Sequence, residues 1–264
     1  MNEVSIRIDR KSYASPPTLA IEGLHIEVSA SEFVAILGPS GAGKSTLLNL
    51  LSRLDQDYEG SIVFDPDVHA KGADAKLAFV FQEPRLMPWL TAQQNITLVL
   101  DESASSVAAA RALLADVELQ GFEDAYPGQL SGGMQRRVAL ARAFAIEPSV
   151  LLLDEPFASL DAPGAQRLRE LLMKLWERLK PTVIMVTHDL SEAISLADRL
   201  VFLSARPAKV VHAEPITLAR PRDLRGDEVR ALHAGLLDAQ PELLAGVEGA
   251  IVQPSNVEHG VSDG

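Results

Sequence analysis

The stretch GPSGAGKST, residues 38–46, decides the fold of this 264-residue chain. Gly38 to Ser45 match the pattern G-x-x-x-x-G-K-[ST], between the apolar run FVAIL (33–37) and a leucine-rich stripe. A strand before the loop and a helix after it is the context in which this pattern binds phosphate. Glycines let backbone N–H groups curl around phosphate oxygens, and the helix N-terminus adds its positive end. Residues 38–46 are therefore predicted to form a phosphate loop.

The residues of the phosphate loop have separate predicted roles. Lys44 is expected to reach the outer phosphates of a nucleotide, and Ser45 is expected to hold Mg²⁺. The whole loop is expected to contact the nucleotide: Gly38, Pro39, Ser40, Gly41, Ala42, Gly43, Lys44, Ser45 and Thr46.

Composition limits the class of protein. Hydrophobic residues make up 47% and charged residues 23% of the chain, which is ordinary for a soluble globular protein. No run approaches the roughly 20 apolar residues that span a bilayer, and there is neither a signal-peptide core nor a cysteine. A net charge of -12 opposes general binding to nucleic acid. We therefore expect a cytoplasmic protein that does not cross the membrane itself and does not bind nucleic acid.

Apolar runs alternate with helical periodicity along the chain, which predicts an α/β fold with a mainly parallel sheet flanked by helices. The helix after the phosphate loop carries leucines at 47, 50, 51 and 54, and its pattern stops before Gly60. The predicted strands are FVAIL (33–37), LAFVF (77–81), VLLL (150–153), TVIMV (182–186) and LVFL (200–203).

Strand signals are missing between about residues 84 and 146, and this segment is predicted to be an inserted helical lobe. Thr91 and Gln94 have the spacing of a capping box, and residues 104–117 are rich in alanine. One domain is expected over residues 1–240, followed by a partly disordered tail over residues 241–264.

Two acidic residues follow a predicted buried strand in VLLLDEPFASLD, residues 150–161. Ligands of open α/β sheets bind at the carboxyl ends of the strands, so Asp154 and Glu155 are expected beside the nucleotide. Asp154 is placed to support Mg²⁺, directly or through water. Glu155 is the natural candidate to polarise an attacking water molecule.

The segment LSGGMQRR, residues 130–137, provides a second set of N–H groups suited to an anion, because Ser131, Gly132 and Gly133 open a predicted helix. One nucleotide needs only one such cradle. Taken alone, Ser-Gly-Gly is usually a plain helix cap, so its neighbours must carry the interpretation.

The order GPSGAGKST, FQEP, LSGGM, LLLDEPFASLD, THD resembles the ATP-binding subunit of ABC transporters, and LSGGM is that superfamily's signature. The resemblance covers nearly the whole chain. It implies a phosphate-loop NTPase core with an N-terminal antiparallel β portion and an inserted helical lobe. It also implies that two subunits face each other head to tail, with ATP and Mg²⁺ between the phosphate loop of one and the signature of the other.

The same resemblance assigns further residues. Gln82 becomes the glutamine that senses Mg²⁺ and the attacking water, and His188 becomes the residue that contacts the γ-phosphate. Residues 159–161 match the loop that communicates between paired subunits. Tyr13, some 25 residues before Gly38, matches the aromatic residue that stacks on adenine, although a tyrosine near a strand often only packs or faces solvent.

Three longer stretches resemble the nitrate, sulfonate and taurine uptake group: FQEPRLMPWLTAQQNI (81–96), YPGQLSGGMQRR (126–137) and LSARPAKVV (203–211). The resemblance implies an ATPase subunit, paired with a copy of itself or another ATPase subunit, on the cytoplasmic face of the cell membrane. It further implies transmembrane permease subunits and, indirectly, a solute-binding protein.

Two alternatives to the importer stay open. A soluble single-cassette ABC ATPase of an assembly complex would carry the same motifs. A phosphate-loop kinase would have no use for LSGGM, so changing Ser131 would leave its activity intact.

Three local features leave a question for the structure. The apolar residues of PRLMPWL (84–90) either form a docking surface for a permease or fill the core of the helical lobe. Ser31 stands where relatives usually have glycine, which puts the tight turn there in doubt. Arg136 stands where relatives often have glutamine, near the expected composite site.

Overall fold

The structure, a computed structural model, describes residues 2–64, 76–101 and 103–239. The tail predicted over residues 241–264 lies outside the described residues. Within them, two sheets and seven α-helices form the fold.

The larger sheet has six strands. In spatial order, the first five strands run parallel to one another, and the sixth pairs antiparallel with the fifth. In spatial order the strands are β5 (Leu77–Val80), β6 (Val150–Asp154), β7 (Thr182–Val186), β3 (Phe33–Leu37), β8 (Arg199–Leu203) and β9 (Val210–Pro215). The five predicted strands agree with β3, β5, β6, β7 and β8 to within one residue at either end.

A smaller antiparallel sheet completes the β structure, with the spatial order β2 (Pro17–Ser29), β1 (Asn2–Ala14) and β4 (Glu59–Phe64). Its buried face carries Val4, Ile6 and Ile8 at every second position, as a half-buried strand requires. The antiparallel β portion expected at the N-terminus is therefore confirmed.

The helices are α1 (Lys44–Leu51), α2 (Ala92–Thr97), α3 (Ala104–Asp116), α4 (Gly132–Ala145), α5 (Ala162–Leu179), α6 (Leu190–Leu196) and α7 (Asp227–Ala239). Helices α2 to α4 follow β5 and precede β6, so no strand occurs among the described residues of the segment predicted to be helical. The capping box at the start of α2 is formed: the Thr91 hydroxyl accepts the Gln94 N–H at 3.2 Å, and the Gln94 side chain accepts the Thr91 N–H at 2.9 Å.

The four inner strands of the larger sheet, β6, β7, β3 and β8, are buried on both faces, which explains their uninterrupted apolar sequences. In β3, Phe33, Ala35 and Leu37 contribute to a core shared with α2 to α6. Val34 and Ile36 face a second core, which holds α1 and the smaller sheet. Helix α1 thus lies between the two sheets.

Two local expectations are corrected. Leu54 does not belong to the apolar stripe of α1, because the helix ends at Leu51 and Arg53 takes a left-handed backbone (φ 61°), leaving Leu54 64% exposed. The turn at Ser31 is not rearranged: this residue holds a φ of 59°. Its N–H donates to the Thr182 hydroxyl at 2.8 Å and its own hydroxyl donates to the Lys180 carbonyl at 2.7 Å, contacts that offset the strain.

Candidate active site

The phosphate loop joins the buried strand β3 to helix α1. Gly41 and Gly43 hold φ angles of 76° and 101°, which only glycine adopts without strain. Gly43 is the residue before the first turn of α1. Since the first N–H groups of a helix have no partner within it, this end of α1 offers donors for an anion.

Lys44 is buried, and its ammonium group lies folded against the loop. Nζ donates to the carbonyl oxygens of Gly38 at 2.6 Å and of Pro39 at 3.0 Å. Burial lowers the pKa of Lys44, and the nearby carboxylates of Glu155 and Asp154 oppose that shift. The ammonium group of Lys44 therefore bonds the loop and lies within the electrostatic influence of the acidic pair.

The register of the parallel strands brings the acidic pair to the loop. Asp154 pairs with Val186, and Val186 pairs with Ile36. The residues that follow these three strands therefore leave the sheet at the same level. Gly38 is two residues beyond Ile36, and Glu155 is the residue directly after Asp154.

The Ser45 side chain lies close to Asp154, where it opposes a rise in the pKa of that carboxyl group. Burial raises the pKa of Asp154, Glu155 adds to the rise, and Lys44 and Arg85 oppose it. No group of three or more metal-binding His, Cys, Asp or Glu side chains occurs in the described parts of the chain. This donor set fits Mg²⁺, which is usually bound by one or two protein oxygens together with phosphates and water.

Glu155 has a strained backbone and a histidine partner. Its φ is 42°, and its N–H donates to the Val186 carbonyl at 2.9 Å. Nδ1 of His188 lies 3.3 Å from Oε1 of Glu155. Strain of this kind in a non-glycine residue is often found at functional sites.

A cavity of about 400 Å³, called the catalytic cavity below, lies beside Glu155 and His188, whereas Lys44, Ser45 and Asp154 do not line it. Gln82, Glu155, Ser159 and His188 line it together with Glu192. The structure therefore brings together four of the residues singled out in three separate parts of the sequence. A larger cavity of about 480 Å³ lies between α5 and residues 220–224 and contains none of the predicted site residues.

Glu192 was missed by the sequence analysis. It is in the first turn of α6, where its N–H donates to Oδ1 of Asp189 at 2.9 Å. Its carboxylate accepts a bond from the Thr187 hydroxyl at 3.2 Å and pairs with the buried Arg169 at 3.0 Å. Burial raises the pKa of Glu192 to about 7, Asp189 adds to the rise, and Arg169 opposes it. In the sequence, the three-residue spacing between Asp189 and Glu192 indicates only a helix cap and gives no sign that the Glu192 carboxyl group is buried.

Tyr13 lies at the end of β1, close to the start of α1. Its hydroxyl lies within hydrogen-bonding distance of two acceptors, the Thr46 hydroxyl at 3.3 Å and Oδ2 of Asp55 at 3.4 Å. The Lys11 ammonium group is 4.6 Å from the centre of the ring. Tyr13 is 37% exposed, so the ring is accessible, and its stacking on adenine stays a prediction.

The second predicted cradle is formed at the start of α4. Ser131 caps α4, its hydroxyl accepting the Met134 N–H at 3.3 Å. Ser131 and Gly132 are exposed, and no atom lies within 4 Å of a Cβ placed at Gly132. Neither they nor Gly133 line the catalytic cavity. The open N-terminus of α4 is therefore available to a molecule outside this chain.

Arg136 connects the signature helix to the loop that follows the acidic pair. Its Nη1 donates to the carbonyl oxygen of Ala158. Leu160, in the same loop, is 3.9 Å from a Cβ placed at Gly133. The segment matched to subunit communication thus touches the start of α4 within one chain.

Comparison with known proteins gives the family. The model described as ABC transporter matches residues 21–158, slightly more than half of the chain. The chain belongs to the ABC transporter ATP-binding family.

Similar proteins extend the match over most of the chain. The aliphatic sulfonates import ATP-binding protein SsuB 1 of Pseudomonas savastanoi pv. phaseolicola is 42% identical, covering 89% of this chain and 94% of that protein. SsuB of Bacillus subtilis is 41% identical, with coverage of 89% and 92%. The chain is thus an ABC ATPase along most of its length.

Two solved structures of the cassette MJ0796 have the same fold. One is a dimer of this bacterial ABC transporter cassette, with a TM-score of 0.69 and 33% identity, covering 82% of this chain and 100% of the other. The other, also a dimer, is a post-hydrolysis state with ADP and phosphate; its TM-score is 0.67 and its identity 32%, with the same coverage. The phosphate-loop NTPase fold is confirmed.

The ABC ATPase should owe part of its pH dependence of stability to Glu192. In the folded chain this carboxyl group keeps its proton up to about pH 7, whereas in the unfolded chain it releases it near 4.5. Its stabilising effect is present below the lower value and is lost as the pH rises towards 7. Between about pH 5 and about pH 7, the free energy of unfolding should fall less in Glu192→Gln than in the parent protein. The two falls should differ by roughly 1–3 kcal/mol.

Urea unfolding at several pH values measures this difference, with Glu170→Gln on the exposed face of α5 as the control. The same pH slope in Glu192→Gln and in the parent would contradict the assignment.

Proposed function

We propose that this ABC ATPase powers an importer for a small organic anion of the aliphatic sulfonate type. One observation supports a mechanism that uses two paired chains. The N-terminus of α4, which is predicted to bind an anion, is exposed and does not line the catalytic cavity. A second chain can place its phosphate loop there. The solute is proposed from the relatives named for aliphatic sulfonates import, which are about 42% identical over 89% of the chain. Nitrate and taurine are the other members of the expected solute group.

ATP is proposed to bind between two chains arranged head to tail. The phosphate loop and Lys44 of one chain hold the phosphates, and Tyr13 stacks on the adenine ring. Ser131, Gly132 and Gly133 of the facing chain cover the γ-phosphate. The dimers of the related cassette support this arrangement.

Three oxygen donors are proposed to hold Mg²⁺: the Ser45 hydroxyl, the Asp154 carboxylate and the Gln82 amide oxygen. When bound, the ion would offset negative charge on the outer phosphates. The closeness of the Ser45 side chain to Asp154 supports the first two ligands. Gln82 is supported by its place in the wall of the catalytic cavity.

Glu155 is proposed to accept a proton from the water that attacks the γ-phosphate in line. Lys44 and His188 then offset the charge that develops on the phosphoryl group. The strained backbone of Glu155 and its contact with His188 support a fixed position for the carboxylate. Hydrolysis reopens the pair, and the motion passes to the permease.

Glu155→Gln should bind ATP normally and hydrolyse it about 10²- to 10⁴-fold more slowly, because it loses a positioned general base. Phosphate release by the purified subunit at saturating ATP measures the rate, and equilibrium titration measures binding. Glu170→Gln, with an exposed carboxylate on α5, is the control. Hydrolysis at the parent rate would show that another residue is the base.

A permease is proposed to dock on the apolar side chains of Leu86, Met87, Trp89 and Leu90, called the docking patch below. Trp89 is 70% exposed, whereas the other three are half-buried. Asn95 is fully buried beneath them and forms two hydrogen bonds with the backbone of Met87. Its side-chain oxygen accepts the Met87 N–H, and its side-chain amide donates to the Met87 carbonyl. The backbone beneath the patch is therefore fixed by hydrogen bonds, and one aromatic side chain projects from it. Exposed aromatic residues of this kind often anchor interfaces.

Trp89→Ala should leave ATP hydrolysis by the isolated subunit unchanged and abolish recovery of the permease with the tagged chain. Mass spectrometry of gently solubilised membranes provides the measurement. Val63→Ala, an exposed apolar residue on the smaller sheet, is the control. Normal permease recovery and transport with Trp89→Ala would rule out the docking role.

The importer function itself is tested in the native host. The tagged chain should recover a polytopic permease in comparable amounts, and deletion of its gene should stop growth on an alkanesulfonate, but not on sulfate, as the sulfur source. Recovery only with soluble partners would favour the assembly-complex ATPase. Normal growth on the sulfonate with a permease present would indicate another solute.

A further inference from the structure

The end of β8 and the turn that follows it, residues 203–209, pack against the phosphate loop near each of its glycines. A Cβ placed at Gly38 would lie 3.1 Å from the carbonyl oxygen of Leu203, at the end of β8. A Cβ at Gly41 would lie 3.5 Å from Nη2 of Arg206, and one at Gly43 would lie 3.5 Å from the Ala208 side chain. This side of the phosphate loop therefore rests on a wall made by a distant part of the chain.

The wall is itself rigid. Ser204 and Lys209 close the turn through a backbone bond of 2.9 Å, and the Ser204 hydroxyl bonds both the Pro207 carbonyl at 2.9 Å and the Lys209 N–H at 3.0 Å. The Ala208 N–H donates to the carbonyl of Ala20 in β2 at 2.9 Å. Arg206 thus projects from a fixed base.

Arg206 bonds the phosphate loop directly. Its Nε donates to the carbonyl oxygen of Gly41 at 2.9 Å. The next N–H in the chain, that of Ala42, donates to the Pro39 carbonyl at 3.1 Å. The peptide between Gly41 and Ala42 is therefore held at both ends, and rotating it would break two hydrogen bonds.

This peptide is connected to the lysine that binds phosphate. The Pro39 carbonyl accepts both the Ala42 N–H and the Nζ donor of Lys44. A hydrogen-bonded series therefore runs from Arg206 through Gly41, Ala42 and Pro39 to Lys44. Each member fixes the orientation of the next.

We propose that Arg206 is a positioning residue of the nucleotide site, which holds the Gly41 peptide so that the phosphate loop and Lys44 are arranged for the phosphates before ATP binds. Prearranged binding groups improve affinity because less ordering is needed on binding. The inference rests on the proposed ATP site. Its effect is on affinity, since Arg206 takes no part in proton transfer.

The test measures ATP and ADP binding to the full chain by calorimetry, together with ATP hydrolysis. Arg206→Ala should weaken binding of both nucleotides by about 3- to 10-fold, a modest effect because the guanidinium is exposed. The kcat at saturating ATP should stay within about 2-fold. Arg206→Lys should recover most of the affinity, because an ammonium group can also donate to the Gly41 carbonyl.

Lys209→Ala is the matched control, because it removes a positive charge from the same turn but one paired with Glu22 at 2.8 Å. Its nucleotide affinity should equal that of the parent. Equal weakening by Lys209→Ala would show a general charge effect and overturn the proposal. So would unchanged affinity in Arg206→Ala, or a loss that Arg206→Lys does not restore.

Lys44→Ala separates this inference from the proposed ATP site on which it rests. If Lys44→Ala loses nucleotide binding while Arg206→Ala does not, only the role of Arg206 fails. If Lys44→Ala binds ATP as the parent does, the proposed site itself fails. Thermal unfolding without nucleotide should be the same for Arg206→Ala and Lys209→Ala; a lower midpoint in Arg206→Ala alone would indicate a structural role and also overturn the proposal.

Discussion

The alignment of three parallel strands is the constraint on which the rest of the molecule depends. Ile36, Val186 and Asp154 lie side by side across β3, β7 and β6. The phosphate loop, the segment carrying His188 and the acidic pair therefore leave the sheet at one edge, although they are far apart in the chain. A shift of one residue in any of these strands would turn its side chains to the opposite core. Such a shift is disfavoured because the side chains in both cores are closely packed.

The elements predicted best were those whose signal is local. Strands such as β3 and β7 are continuous apolar runs because both faces are buried, and their bounds were predicted to the residue. The antiparallel sheet was not visible in such runs and was expected only from the family resemblance. In its strands, apolar residues on the buried face alternate with polar and charged residues on the other face. Such a sequence is hard to tell from that of an ordinary surface segment. Leu54 was misassigned for a related reason, since periodicity does not show where the backbone turns to the left-handed region.

The site was predicted in part. Asp154, Glu155 and His188 stand after apolar runs, and their place at a strand end follows from the parallel topology. Glu192 and Arg206 could not be found in this way. The raised pKa of Glu192 comes from burial and from the nearby Asp189, and the role proposed for Arg206 comes from a contact with Gly41 across 165 positions of sequence. Such contacts exist only once the chain is folded.

The N-terminus of α4 is exposed and contributes no residue to the catalytic cavity, and we propose that it completes the ATP site of a second chain. The chain has no cysteine, which allows a direct measurement. In the double variant Ser40→Cys, Ser131→Cys, a short bifunctional thiol reagent should join two chains in the presence of ATP and Mg²⁺, and leave them separate without nucleotide. Both single-cysteine variants should stay monomeric on a denaturing gel. Absence of cross-linked dimer with ATP, or the same yield without it, would contradict the composite site.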